Sequence, residues 1–189
     1  MKMYETKLQG IFLIEPTVFG DNRGFFMESY NAERFNRHGI SMTFVQDNHS
    51  LSVEKGVIRG MHYQLAPMAQ TKLVRVTVGA IYDVVVDIRV DSPTFGQWEG
   101  FELSVDNKLQ LLVPAGFAHG FCTLVPNTEV QYKVDCRYSL EHDRGIAWDD
   151  PAIGIEWPTD SPILSAKDSR HPLLADADNN FAYEERRPT

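Results

Sequence analysis

Along much of this chain apolar residues alternate with polar ones, the period-two pattern of β-strands with one buried face. In "AIYDVVVDIRV", Tyr82, Val84, Val86, Ile88 and Val90 form one apolar face. Asp83, Asp87 and Arg89 lie on the other, with Val85 between them. "TEVQYKVDC" alternates more cleanly, with Val130, Tyr132 and Val134 on one side and Glu129, Gln131, Lys133 and Asp135 on the other. Turn signals recur at short intervals: "FGDNRG" at 19–24, "VDSPTFG" at 90–96, "SVDNKL" at 104–109, "VPAG" at 113–116 and "VPNT" at 125–128. Short strands at this spacing predict an antiparallel β-sandwich or barrel. A short helix is predicted in "NAERFNRHG", with Asn31 as its N-cap and Gly39 just past its end. The whole chain, 1–189, reads as one domain. Pro158, Pro162 and Pro172 and then a polar end mark 160–189 as a wrapping segment with a short helical turn and a frayed terminus.

Composition narrows the function classes. With 43% hydrophobic and 23% charged residues over 189 positions, the chain has ordinary globular composition and enough length for a core. Its net charge of −8 argues against a broad nucleic-acid or anionic-membrane surface, so an anionic ligand would need locally placed Arg and Lys. Cys122 and Cys136, without C-x-x-C spacing, suggest neither a disulfide framework nor a thiolate metal site. The first residues do not read as a signal peptide, no apolar run has membrane length, and a cytoplasmic protein is the expectation.

Candidate chemistry concentrates in "GVIRGMHYQ". A lone strand histidine such as His62 is more often structural than catalytic. Strict alternation would send Arg59 and His62 to opposite faces, so a shared site requires a bulge, for which Gly60 is the obvious place. His119, between the glycines of "PAGFAHGF", reads either as a packed histidine at a tight turn or as a donor to a phosphate or sugar oxygen. Tyr132 points into the core, where a phenol is a structural hydrogen-bonder or a general acid. Lys72 reads as a solvated strand-edge lysine, and Gln46, Asp47, Asn48 and His49 of "FVQDNHS" read as a polar turn. In "LSAKDSRHP", Ser165 and Asp168 have capping-box spacing, and Asp168 could instead orient an imidazole. A metal site built from His62 and His119 is a weaker alternative, since His62 has no second histidine two residues on.

Taken together, "VFGDNRGFFMESY", "FVQDNHS", "GVIRGMHYQ", "KLVRVTVGAIYDVVVDIR", "SPTFGQW", "VPAGFAHGF" and "LSAKD" resemble the dTDP-4-dehydrorhamnose 3,5-epimerase family, in order from about Val18 to Leu174. The resemblance implies an all-β, cupin-like double-stranded antiparallel barrel, or jelly roll, with a few short helices. It further implies a homodimer with N-terminal strand exchange and no metal. The implied substrate is a dTDP-4-keto-6-deoxy-sugar, whose C3 and C5 are inverted. Both carbons flank the C4 ketone, so the chemistry needs a base, a donor for the enolate oxygen and an acid on the opposite face. It needs no redox cofactor, because no net electron transfer occurs.

By the same resemblance His62 is the base, Asp168 its orienting partner, Tyr132 the proton donor and Lys72 the residue near the ketone oxygen. Arg59 and His119 match substrate contacts, Arg59 at the diphosphate. Arg23, Glu28 and the run Gln46 to His49 correspond to nucleotide- and sugar-binding positions, with Arg23 and Glu28 supplied by the neighbouring subunit. Tyr138 stacks on the thymine or is an ordinary barrel-rim aromatic. Asp143 and Lys167 match further binding positions, although the family often has the longer Glu at 143. The "LAPM" loop after His62 departs from the family pattern. An epimerase acting at only one carbon, a metal-dependent cupin enzyme and a non-catalytic binding module remain as alternatives.

Overall fold

The computed structural model describes residues 1–184. The chain runs through β1 (Lys2–Glu5), β2 (Phe12–Glu15) and the hairpin β3 (Val18–Asp21) and β4 (Gly24–Met27), then the helix α1 (Ala32–Arg37). Strands β5 (Gln46–Ser52), β6 (Ile58–Gln64), β7 (Lys72–Val78) and β8 (Ala80–Asp87) follow. After them come β9 (Trp98–Ser104), β10 (Gln110–Val113), β11 (Phe117–Thr123), β12 (Thr128–Val134) and β13 (Asp143–Gly145). Apart from β3 and β4, which make a two-stranded sheet of their own, they form two sheets, ordered β1-β2-β10-β7-β12-β5 and β13-β6-β11-β8-β9, with antiparallel neighbours throughout. This is the antiparallel barrel that the alternation predicted, in the double-stranded jelly-roll form that the family resemblance implied.

Helix α1 forms where its caps place it. The Asn31 side chain accepts a hydrogen bond from the Arg34 N–H, and Gly39 leaves the last turn at φ +79°. Phe35 anchors the helix in a cluster with Ile14, Ile40, Leu73 and Leu112 against the six-stranded sheet. Between the sheets lie Val74, Val76, Ile81, Val85, Leu111, Phe117, Phe121 and Val130. On the outer face of the five-stranded sheet, Met61, Tyr63, Val84, Val86 and Ile88 are covered by Ile153, Trp157, Leu174 and Phe181. The wrapping segment therefore closes a second core. Its bridges Val57 to Ile163 and Val90 to Ala182 pin it at both ends. The polar end is packed through Tyr183, whose hydroxyl donates to Gln9; the rest of the terminus read as frayed, 185–189, lies outside the described residues. Among the described residues no helix is long and apolar enough to cross a membrane.

One expectation is corrected. The polar run Gln46 to His49 is not a turn but the start of β5, an edge strand paired only with β12. An edge strand with one face on a polar cleft can be polar on both faces and still be held by its ladder. The polar face of β8 that carries Asp83 and Asp87 is buried as well as the apolar one: both residues are 0% exposed and each carboxylate is hydrogen-bonded.

The bulge is in β6. His119 faces His62 and Phe121 faces Arg59, so two steps along β11 match three along β6. The extra residue turns Met61 and Tyr63 to the outer core and leaves both Arg59 and His62 on the cleft side. Gly60 allows it, with φ +151°, and a Cβ there would meet Gly120 Cα at 2.6 Å. Gly60→Ala is expected to destabilise the chain by about 2 kcal/mol or more, the scale of backbone overpacking. Urea unfolding measures this, and a change below about 0.5 kcal/mol would contradict the close approach.

Candidate active site

Arg59, His62, Lys72, His119, Tyr132, Lys167 and Asp168 line one cleft together with Ser50, Phe121 and Ser165. They come from β6, β7, β11, β12 and the C-terminal segment, which converge at one end of the barrel. Tyr138 and Asp143 line an adjoining recess that shares His62, Lys72, Tyr132 and Lys167 with the cleft.

The His62 Nε2 lies 2.7 Å from Asp168 Oδ1. Asp168 is 4% exposed and starts a short 3₁₀ turn, Asp168–Arg170. Only half of a capping box forms there: the Asp168 N–H donates to Ser165 Oγ, while the carboxylate turns to the imidazole. Burial works against ionisation of Asp168, but the imidazoles of His171 and His62 hold its carboxyl well below the usual carboxylate range. Burial lowers the His62 pKa, opposed by Asp168 and assisted by Lys72 and Lys167. The ring is therefore neutral near pH 7, and the carboxylate fixes the proton on Nε2. Nδ1 has no protein partner among the described residues.

Lys72 is not the solvated edge lysine of the sequence reading. Its ammonium turns to the His62 carbonyl, at 3.4 Å, and burial lowers its pKa to about 8, partly offset by Asp83 and Asp143. The Tyr132 pKa is raised, chiefly by burial, so the phenol keeps its proton. His119 is 7% exposed, and its Nε2 meets both oxygens of Asp83 at 2.9 and 3.0 Å. Sequence reading missed Asp83 as a partner. Its signal was a carboxylate at the parity of Ile81 and Val85 within an otherwise apolar run. Arg59 is held by Ser52 Oγ at 3.1 Å and by the Leu51 carbonyl at 3.0 Å.

The remaining candidates divide. Gln46 and Asn48 share the inner parity of Ser50 and are hydrogen-bonded to each other at 2.8 Å. Asp47 and His49 point the opposite way, as strand alternation requires, so of the four expected binding residues only Gln46 and Asn48 have the inner parity. Asp47 is paired with Lys133 and His49 with Glu129 on the outer surface. Asp143 is reached by the Tyr138 hydroxyl at 2.9 Å and by Lys167. Arg23 and Glu28 stand outside their own chain's cleft, on or beside the β3–β4 hairpin, paired with Asp21 and Arg34.

The family model for dTDP-4-dehydrorhamnose 3,5-epimerase matches residues 5–176. The chain belongs to that family. The 3,5-epimerase of Shigella flexneri is 53% identical over 94% of this chain and 98% of its own. A crystal structure of the 3,5-epimerase from Bacillus anthracis, with TDP and PPi bound, superposes with a TM-score of 0.89 at 59% identity, covering 91% of this chain and 98% of that one. The epimerase RmlC of Legionella pneumophila, in complex with dTDP-4-keto-L-rhamnose, gives 0.90 at 45% identity over 94% of both chains. Members of this epimerase family are isomerases, and the cleft of this member brings several ionisable groups together.

Lys72 is expected to titrate near 8, and lower still in Asp83→Asn, where a stabilising negative charge is gone. NMR of 13C-labelled lysine side chains measures both. A Lys72 midpoint near 10.4, the value of a free lysine, would contradict the burial of its ammonium.

Proposed function

We propose that this chain is a dTDP-4-dehydrorhamnose 3,5-epimerase that inverts C3 and C5 of dTDP-4-dehydro-6-deoxy-D-glucose, supplying dTDP-L-rhamnose biosynthesis. The observation that carries the reading is the convergence in one cleft of a neutral, carboxylate-bound imidazole, an ammonium and a protonated phenol. His62 takes the proton from the carbon next to the ketone at Nδ1, while Asp168 holds the Nε2 proton and stabilises the imidazolium that forms. Lys72 faces the C4 oxygen, where its positive charge favours the enolate over the ketone. Tyr132 returns a proton to the opposite face of the ring. Repetition at the second carbon completes the reaction, and the electrons stay within the substrate.

Arg59 and His119 hold the diphosphate, with Gln46, Asn48, Tyr138, Asp143 and Lys167 towards the sugar and base. The cleft, about 280 Å³, falls just below the roughly 300–1,000 Å³ of a complete small-molecule site. A homodimer supplies the rest. Phe19, Phe25 and Phe26 of the β3–β4 hairpin are 62%, 56% and 72% exposed, an apolar arm suited to cross to a second copy and bring Arg23 and Glu28 to its cleft. Asp47 and His49, on the outer face, have no role within this chain's cleft. A single domain in the cytoplasm fits the two free thiols.

In deuterated water, NMR of the keto-sugar nucleotide is expected to show label at C3 and C5. Label at one carbon would make the chain a single-site epimerase, and no label would overturn the enzyme reading. Asp168→Asn is expected to slow exchange by about 10²- to 10⁴-fold while leaving nucleotide binding intact. Unchanged exchange would remove Asp168 from the mechanism. The profile of kcat/KM against pH is expected to be a bell. His62 must be neutral, so activity falls as pH drops through its lowered pKa, below the ordinary 6.5; Lys72 must be charged, so activity falls as pH rises through about 8. A flat alkaline limb up to pH 10 would contradict the role of Lys72.

A further inference from the structure

The proposed base stands in a cluster larger than proton transfer requires. Asp168 Oδ1 lies 2.7 Å from His62 Nε2 and 3.7 Å from the Nε2 of His171, and one ligand atom from each of the three residues falls within 4.8 Å of the others. The His171 side chain is 10% exposed, and its Nε2 is buried without a hydrogen-bond partner among the described residues. Buried polar atoms are rarely left so, because an unpaired one forfeits its interaction with water. Its seat is built by the fold. The ring occupies the space of a Cβ at Gly145, which would meet Cε1 and Nε2 at 2.5 Å, and Gly145 is the register partner of His62. The two imidazoles meet edge to face at 5.4 Å.

We propose that His62, Asp168 and His171 form a site for a borderline divalent cation, Zn²⁺ being the test case, and that occupancy switches the epimerase off. The inhibition rests on His62 being the base; the site itself does not. Two imidazole nitrogens and one carboxylate oxygen, with a fourth position open, are a zinc donor set. Zinc bonds of about 2.0–2.1 Å in tetrahedral geometry put ligand atoms about 3.3 Å apart. The two distances to Asp168, 2.7 and 3.7 Å, straddle that spacing, and the two imidazole nitrogens, within 4.8 Å of each other, draw together to meet it. The cleft, lined by both His62 and Asp168, is the entry path.

The consequence for catalysis follows from the imidazole. A cation takes the Nε2 lone pair, so the single ring proton resides on Nδ1. No lone pair then faces the substrate, and no proton can be accepted from it. No electron is transferred, and removal of the ion restores the original tautomer. Lys167 is engaged by Asp143, whereas the Lys72 ammonium near His62 opposes the cation and keeps the site weaker than a structural zinc site.

Calorimetric titration with ZnCl₂ and visible absorption of added Co²⁺ read binding without reference to turnover. One ion per chain is expected, removed by EDTA. His171→Phe keeps a ring on Gly145 without a ligand atom, and His171→Asn is the smaller second variant; each is expected to bind at least about tenfold more weakly. Zinc is expected to suppress deuterium exchange in the wild type, relative to its own EDTA-treated rate, and much less in the variants. Absence of stoichiometric uptake, or equal binding by both variants, would overturn the site. His171-dependent binding that leaves exchange undiminished would keep the site but overturn the inhibition, and with it His62 as the base.

Discussion

Strands β6 and β11 meet at two glycines, and the close approach of Gly60 to Gly120 decides where Arg59 and His62 point. A side chain at either position would collide with the opposing strand, at 2.6 Å from Gly60 and 2.7 Å from Gly120. The contact accommodates one extra residue in β6, and that residue reverses the alternation between Arg59 and His62. Without it, Arg59 would share the outer face with Met61 and Tyr63. With it, Met61 and Tyr63 become the platform on which the C-terminal segment packs. That same segment delivers Asp168 to His62. One irregularity thus orients His62, the neighbouring Arg59 and the carboxylate that fixes the His62 tautomer.

Electrostatics in the cleft is a matter of pairing rather than of net charge. The chain carries −8 overall, yet the cleft is rich in basic side chains. Three buried carboxylates are each committed to one of them: Asp168 to His62, Asp83 to His119 and Asp143 to Lys167. Arg59 and Lys72 are left without an ion-pair partner among the described residues, and they are the cations that the proposed reaction needs for an anionic diphosphate and an enolate. Burial lowers the proton affinity of Lys72 and His62 and raises that of Tyr132, so near pH 7 each group stands in the state its role requires.

Much of this was legible in the chain. The helix read from Asn31 and Gly39 is present with those caps, because capping is a local interaction. The bulge was legible because Arg59 and His62 conflict with strict alternation and a glycine lies between them. Less legible were groups whose roles depend on distant strands. The polar run at 46–49 has turn composition, and only its ladder with β12 makes it a strand. The burial of Asp83 was not legible because alternation separates two faces without saying which one is inside. His171 drew no notice, since its place beside Asp168 depends on the missing side chain of Gly145, an element distant in sequence.

The central claim is that one bulged strand presents His62 and Arg59 to a single substrate. A crystal structure with a dTDP-6-deoxy-sugar bound tests it most directly. The account predicts C3 or C5 of the sugar within about 3–3.5 Å of His62 Nδ1, with the diphosphate against Arg59 of the same chain. A sugar bound away from His62, or a diphosphate held without Arg59, would contradict it.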